Sequence, residues 1–350
     1  MSRNVERLVK RRRALEELAP QVLSAARWLH SVHQKGTRPA WVRVRADLFW
    51  GGEFNGGPLR EPPICRVTAP RGLNLQLYLI ALFEAQCRKR TGVAGPSPLP
   101  IYSAEPEEAS WVRVTASQAR ENMEARRQIT ELGNRIRQVK SGFQRLASEG
   151  LVRIIKSSRG TISIMPLHES GITDSKVNDY VIPSGDSMRL IFLPVEFFTD
   201  GWIFILTQSE IRMYLVLLHM ARRFRKNHRE TGVYCAGSIR DYEYCLSRDV
   251  YETHLLLEGF GLIERMSSGD RHFDGKLIQF HRRLERGEVM PAHRFKVAAR
   301  LAHIRNPVAK AKRVLSEHSD NRDSNPPTAE ASFTRSVKLA KRAKFDRHAF

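Results

Sequence analysis

The spacing of apolar residues along this chain changes period several times, and each change marks an element. From Asn4 to His30, Val5, Leu8, Leu15, Leu18 and Val22 recur at helical spacing and form one stripe. Leu73–Lys89 carries Leu75, Leu79, Leu82 and Phe83 on one side of a second helix. Thr207–Arg225 is a third, and its Thr207 and Glu210 make a capping box. Asn134–Glu149 gathers Ile136, Val139, Phe143 and Leu146 on one face. Beyond that helix the segments shorten. Leu151–Ile155 and Thr161–Met165 read as strands around the turn Ser157-Ser158-Arg159-Gly160. Leu262–Met266 and Lys276–Phe280, around Ser267-Ser268-Gly269-Asp270, read the same way.

The pattern is an internal repeat. Val139, Leu146, Gly150 and Leu151 fall in register with Val250, Leu257, Gly261 and Leu262, and Arg137 matches Arg248 at the same offset. Gly150 and Gly261 stand where a helix C-terminus needs a left-handed residue. Upstream, Tyr78-Leu79-Ile80-Ala81-Leu82 is similar to Tyr214-Leu215-Val216-Leu217-Leu218. A short helix is expected between the long helix and the repeat in each half. One starts near Thr115, with Gln118 completing a T-x-x-Q box, and the other near Ser238.

The fold class predicted is α+β, mostly helical. A basic amphipathic helix covers 1–35, a first folded unit 40–168, a linker 169–188, a second unit 189–290, and a basic helix with a disordered basic tail 291–350. Thr91–Ser110 is rich in proline and glycine and reads as a surface loop. Ser316–Ser332 has almost no apolar residue and reads as disordered. The N-terminal helix either packs on the first unit or pairs with another chain.

Charge narrows the partner. Lys and Arg number 58 against 37 Asp and Glu, a net charge of +21, and the pI is near 10.4. Such an excess points to an anionic partner, most commonly nucleic acid, with an inert basic protein as the alternative. No apolar run is long enough for a membrane-spanning helix. Met1–Leu18 is arginine-rich without an apolar core, so it reads as a basic surface helix and not a secretory signal. Cys65, Cys87, Cys235 and Cys245 include no C-x-x-C pair, so neither a zinc site nor a dense disulfide framework is expected, and no cofactor. The expected location is the cytoplasm, in association with the nucleoid.

A long helix, a short helix, a recognition-type helix and a β-hairpin in succession resemble the winged helix-turn-helix superfamily. Arg137–Met165 and Arg248–Phe280 carry the resemblance. The L-x-x-x-G-[LF]-[VI]-x-R ending frequent there stands here as Leu146-Ala-Ser-Glu-Gly150-Leu-Val-Arg153 and, less closely, as Leu257-Glu-Gly-Phe-Gly261-Leu-Ile-Glu-Arg265. Two such units in one basic chain, across Gly72–Arg283, resemble plasmid or phage replication initiators, which bind repeated DNA sites at an origin. The resemblance implies tandem winged-helix domains and a double-stranded DNA partner. A winged-helix transcription regulator, acting as a homodimer on an inverted repeat, is the other role it admits.

The outward face of the 134–149 helix is chemically specific. It shows Asn134, Arg137, Gln138, Ser141 and Arg145, with Lys140 and Gln144 beside them. Arginine suits guanine, and asparagine and glutamine suit adenine, through paired hydrogen bonds in the major groove. No acid stands among them before Glu149, whereas a merely solvated face, the plainer alternative, mixes Glu with Lys. The following hairpin adds Arg153, Lys156 and Arg159, suited to phosphate or the minor groove. In the second half Arg248 sits among Asp249, Glu252 and Glu258, which phosphates repel. That helix is expected to bind DNA differently or to serve dimerisation, while its hairpin offers Arg271 and Lys276. Lys310, Lys312, Arg313 and the basic residues of Arg335–Phe350 form either a DNA arm or a solvated tail.

Catalytic motifs are sparse. There is no P-loop, G-x-S-x-G elbow or H-E-x-x-H pair. His219-Met-Ala-Arg222 matches the H-x-x-R box of tyrosine recombinases, with Tyr251 downstream. His219 lies within the predicted apolar helix, however, and no earlier arginine box is recognisable. The chain is therefore read as a DNA-binding protein and not an enzyme, with a DNA-processing recombinase as the alternative.

Overall fold

The computed structural model describes residues 3–52, 60–68, 72–90, 92–118, 130–158, 161–173, 176–266, 269, 277–288 and 292–324. In chain order it runs α1 (Arg3–Lys35), β1 (Trp41–Arg45), α2 (Pro63–Thr68), α3 (Asn74–Arg88), β2 (Gly92–Val93), α4 (Glu131–Ser148), β3 (Val152–Lys156), β4 (Ile162–Pro166), β5 (Val181–Ile182) and β6 (Leu190–Pro194). Then follow α5 (Glu196–Thr199), α6 (Trp202–Ile205), α7 (Gln208–Arg223), α8 (Arg225–Glu230), α9 (Gly237–Tyr242), α10 (Arg248–Tyr251), α11 (His254–Phe260), β7 (Ile263–Arg265), α12 (Phe280–Glu285), β8 (Phe295–Val297) and α13 (Pro307–Ser324). The class is α+β, mostly helical, with small antiparallel sheets pairing β1 with β6, β2 with β5, β3 with β4 and β7 with β8.

Every residue of α3 from Asn74 to Cys87 is buried. A helix with no solvent face has to be wrapped, and α1, α2, α4, β1 and β4 do so. Its polar residues are satisfied inside: the Gln86 amide donates to the Arg43 carbonyl at 2.7 Å, and the Tyr78 hydroxyl to the Leu167 carbonyl at 2.9 Å. In the second half α7 holds the matching place. Its predicted capping box is present, with the Glu210 amide donating to the Thr207 hydroxyl and the Thr207 amide donating to the Glu210 carboxylate.

The repeat survives as geometry. α4 packs on α3 and runs into β3, whose partner β4 also touches α3; α11 packs on α7 and runs into β7, whose partner β8 also touches α7. Gly150 and Gly261 are left-handed, at φ +68° and +86°. Past each, the Leu151 and Leu262 amides reach back to the Leu146 and Leu257 carbonyls, both at 3.0 Å. Leu167 donates to the Leu151 carbonyl at 2.8 Å, and Ala298 to the Leu262 carbonyl at 3.0 Å, so the return strands also correspond.

Several expectations are corrected. The first hairpin forms where predicted, but the return strand of the second is Phe295–Val297, not Lys276–Phe280. Phe295 and Val297 turn two apolar side chains into the core, and Phe295 also pairs with Val233 through both backbone groups. Phe280 instead opens α12, after Gln279 in the left-handed region at φ +55°. The helix expected through Val250–Glu258 is broken into α10 and α11, because the Thr253 hydroxyl bonds the Val250 carbonyl at 2.6 Å and competes with helical bonding. Thr115 begins no helix before Gln118: its hydroxyl donates back to the Trp111 carbonyl at 2.7 Å. The short helix near Ser238 is α9. Residues 316–324, read as disordered, complete α13, whose Val308, Ala311, Val314 and Leu315 are buried. The rest of the expected tail lies outside the described residues.

Among the described residues of 169–188, read as a linker, 169–171, 180, 182 and 183 are buried in the core, while 176–179 and 184–188 are exposed. Glu169 and Tyr180 are fully buried, and Arg45 Nη1 meets Glu169 Oε2 at 2.6 Å. Since β1 also pairs with β6, the two halves share a sheet and one continuous core. The N-terminal helix α1 packs along α13 and touches α3, α5 and α6. Its Arg11 grips Glu210, which is 1% exposed, through bonds of 2.6 and 2.7 Å.

The two glycine helix ends give a stability test. Gly261→Ala is expected to cost about 1–2 kcal/mol, because an L side chain there must stay left-handed; its Cβ meets nothing closer than Ile304 Cδ1 at 3.7 Å. Gly150→Ala is expected to cost more, since its Cβ would also lie 2.7 Å from Ile172 Cγ1 and 3.0 Å from the Ile172 amide nitrogen. Urea midpoints measure both, and equal losses would mean that Ile172 yields freely.

Candidate nucleic-acid interface

α4 is capped by Thr130, whose hydroxyl accepts from the Gly133 amide at 3.1 Å. Its inner face, Val139, Phe143 and Leu146, is buried as its period demands. Gly142 lets it approach α3 closely: a Cβ there would stand 2.5 Å from Leu77 Cδ1. That contact fixes which side of α4 faces outward. Arg137, Lys140, Ser141, Gln144 and Arg145 are exposed, and Gln138 is half-buried.

Asn134 is the exception. It is 6% exposed, and its Oδ1 accepts from Arg137 Nη2 at 3.0 Å. Neighbouring segments bond the start of α4: Gln21 of α1 donates to Glu131 at 2.8 Å, and Arg135 donates to the Val112 and Thr115 carbonyls at 2.8 and 3.0 Å. Asn134 therefore holds Arg137 and does not itself face outward.

The cations differ in how free they are. Arg145 meets Glu149 at 3.0 Å and donates to the Arg66 carbonyl, while Arg66 also grips Glu149 at 2.6 Å. Arg153 pairs with Asp179 at 3.1 Å. Arg137, Lys140 and Lys156 have no carboxylate partner among the described residues. The amide of Gln138 donates to the Gln118 carbonyl at 3.1 Å. In the second half Arg248 pairs with Glu252 at 2.8 Å. Arg159, Arg271 and Lys276 lie outside the described residues.

Two clefts flank α4. One of about 550 Å³ lies between Ile136 and Lys140 on the helix and Thr161, Ile162 and Ser163 on the hairpin, with Glu108 on its wall. The other, about 880 Å³, is bordered by Arg137, Gln138 and Ser141 and by the starts of α3 and α7. The helix thus stands between two clefts, and Lys140, Thr161 and Ser163 line the same one. Strand alternation alone would have flagged those two hydroxyls; Asp179 and Arg66, which neutralise or brace the cations, come from distant segments that no local pattern signals.

The H-x-x-R residues are otherwise employed. His219 is fully buried, its Nδ1 lies 2.9 Å from the Tyr244 hydroxyl, and its ring packs on Trp50 and Phe49 at 5.2 and 5.7 Å. Burial, with Arg223 nearby, pushes its pKa down to about 4. Arg222 lies over the Phe192 ring at 4.5 Å and pairs with Asp186. Among the described residues, no three His, Cys, Asp or Glu side chains cluster as metal ligands, and no helix is long and apolar enough to cross a membrane.

No protein-family model, curated protein or solved structure matches this chain.

A buried neutral histidine makes stability depend on pH. Between pH 6.5, its ordinary value, and about 4, the unfolded chain binds a proton that the folded chain refuses. The stabilisation is whole above 6.5 and is lost as pH falls toward 4, by on the order of 3 kcal/mol. His168 and His228, also held down by burial, act in the same direction. The difference between wild type and His219→Gln isolates the term. Urea midpoints taken from about pH 7 to about pH 4.5 should fall more steeply for wild type, and parallel slopes would reject the assignment.

Proposed function

We propose that this chain is a tandem winged helix-turn-helix protein that binds duplex DNA, with α4 entering the major groove and the β3–β4 hairpin lying along the backbone. The observation that carries this reading is the exposed stretch of α4, Arg137, Lys140, Ser141, Gln144 and Arg145, in which no acidic side chain stands. Arginine and glutamine are the side chains that read guanine and adenine edges. Lys156, exposed at the hairpin end, is suited to phosphate. The net charge of +21 supports an anionic partner of large extent.

The repeated helix, glycine end and paired strands support two units of one design. They are not equivalent in what they expose. Gly259 on α11 is pressed against Val314 of α13, where a Cβ would stand 2.6 Å away. A chain with one open helix and one covered helix is an asymmetric reader, which favours a replication initiator-like role on directly repeated sites. A transcription regulator remains the second reading, favoured if the bound site is an inverted repeat.

Selection of bound sites from random duplexes at fixed salt tests the proposal. It is expected to return a defined site, in direct repeats for an initiator; recovery of no preferred sequence rejects base reading. Arg137→Ala or Gln144→Ala is expected to weaken binding to the selected site by roughly 1–3 kcal/mol and to relax base preference. Lys156→Ala should weaken all sequences alike and flatten the salt dependence. Should Arg137→Ala act equally on selected and random DNA, α4 is not the reading helix.

A further inference from the structure

Cys65 lies on α2 in the first half, and Cys245 lies in the turn between α9 and α10 in the second. The fold brings them together. Arg212 Nη2, on α7, is 3.3 Å from Cys65 Sγ and donates to the Cys245 carbonyl at 3.0 Å. Both cysteines therefore border the same guanidinium nitrogen. Arg212 Nη1 also donates to the Thr68 hydroxyl at 3.3 Å, so one guanidinium holds both segments in place. The turn is anchored further by the Leu246 amide on the Arg240 carbonyl at 2.9 Å and the Gly51 amide on the Glu243 carbonyl at 2.7 Å. Both cysteines are half-buried, whereas Cys87 and Cys235 are buried.

We propose that Cys65 and Cys245 form a dithiol which a hydroperoxide oxidises to a disulfide, tying α2 to the turn before α10. Burial pushes the Cys65 thiol up to about 12, against the opposing pull of Arg212, which makes it the poorer first nucleophile. Cys245 therefore attacks first, its thiol giving up a proton. Its sulfur bonds to one peroxide oxygen, the O–O bond breaks, and the leaving oxygen takes a proton, giving a sulfenic acid and water or an alcohol. The Cys65 sulfur, giving up its proton, then attacks the Cys245 sulfur. The S–S bond forms, the S–O bond breaks and water leaves, so two electrons pass from the thiols to the peroxide.

The bridge has a structural consequence. Arg66, adjacent to Cys65, holds Glu149 at the end of α4, and Ser247, just past Cys245, caps α10 with a 3.4 Å bond from the Val250 amide. Oxidation fixes the end of α4 relative to the start of α10. The proposal does not rest on the DNA-binding reading.

The test uses the full chain, reduced, treated with hydrogen peroxide, blocked with iodoacetamide and digested without reductant. A Cys65–Cys245 linked peptide is expected from monomeric protein, with loss of both free thiols and recovery on reduction. Cys65→Ser should leave a Cys245 sulfenic acid that dimedone traps, and Cys245→Ser should leave Cys65 alkylated. The Cys87→Ser and Cys235→Ser chains should still form the link. Wild-type protein in which Cys65 and Cys245 stay alkylatable after peroxide overturns the proposal, as does a link to another cysteine or between two chains.

Discussion

The constraint on which this architecture depends is the complete burial of α3. Most amphipathic helices need one partner surface, but a helix without a solvent face needs partners on every side. α1, α2, α4, β1 and β4 meet that need, and Gln76 reaches across to the Ile203 carbonyl at 2.9 Å, so the second half is engaged as well. The close approach at Gly142 then orients α4. With Val139, Phe143 and Leu146 committed to the core, the basic and amide side chains are left outside by exclusion. The surface proposed to meet DNA is thus the reverse of a packing solution.

Electrostatics refine that surface. A chain with so large a positive excess gains little from ion pairs in general, and exposed pairs contribute little to stability. The pairs that matter are buried or braced. Arg11 with Glu210 fastens α1 to the N-terminus of α7, and its guanidinium also lies over the Phe260 ring of α11 at 5.6 Å. Removing one partner of such a pair strands a buried charge. At the end of α4, Glu149 collects Arg66 and Arg145, so Arg145 is held in place and partly neutralised. Among the described residues no carboxylate meets Arg137 or Lys140, and Asn134 steers the former.

What was legible in the sequence was local. The long helices, the Thr207 capping box, both left-handed glycines and the first hairpin each follow from a few neighbouring residues. Most of the α4 face was legible for the same reason, since helical period alone separates Val139 from Arg137. Asn134 is buried although helical period places it beside Arg137, and its neighbours Glu131 and Arg135 are bonded by α1 and by Val112 and Thr115, which are remote in sequence. The return strand of the second hairpin was misplaced because the chain between Met266 and Arg294 is long and Lys276–Phe280 has a plausible strand composition. What selects Phe295–Val297 is pairing with Val233 and burial against α7, and neither is visible locally. The packing of 169–188 eluded composition because Glu169 and Tyr180 look like surface residues until Arg45 and Gln86 are placed beside them.

The two repeats show how one local design reaches different ends. Helix, left-handed glycine, strand and return strand recur with nearly the same hydrogen bonds, so short-range physics treats both alike. The difference is imposed afterwards. α4 runs unbroken from Glu131 to Ser148 and carries basic and amide groups outward; α10 and α11 are short, separated at Glu252–Thr253, and α11 is overlain by α13. A residue that invites close packing, glycine at 142 and again at 259, serves opposite purposes in the two. In α4 it presses the inner face onto α3 and leaves the outer face open, while in α11 it admits α13. Beside the face that α13 covers, Glu252 and Glu258 keep 50% and 31% of their side-chain surface exposed, so the second helix region shows mixed charge outward. One local design thus leaves mixed charge outward in the second half and basic, hydroxyl and amide groups outward on α4, and on the proposed reading only the α4 face suits DNA.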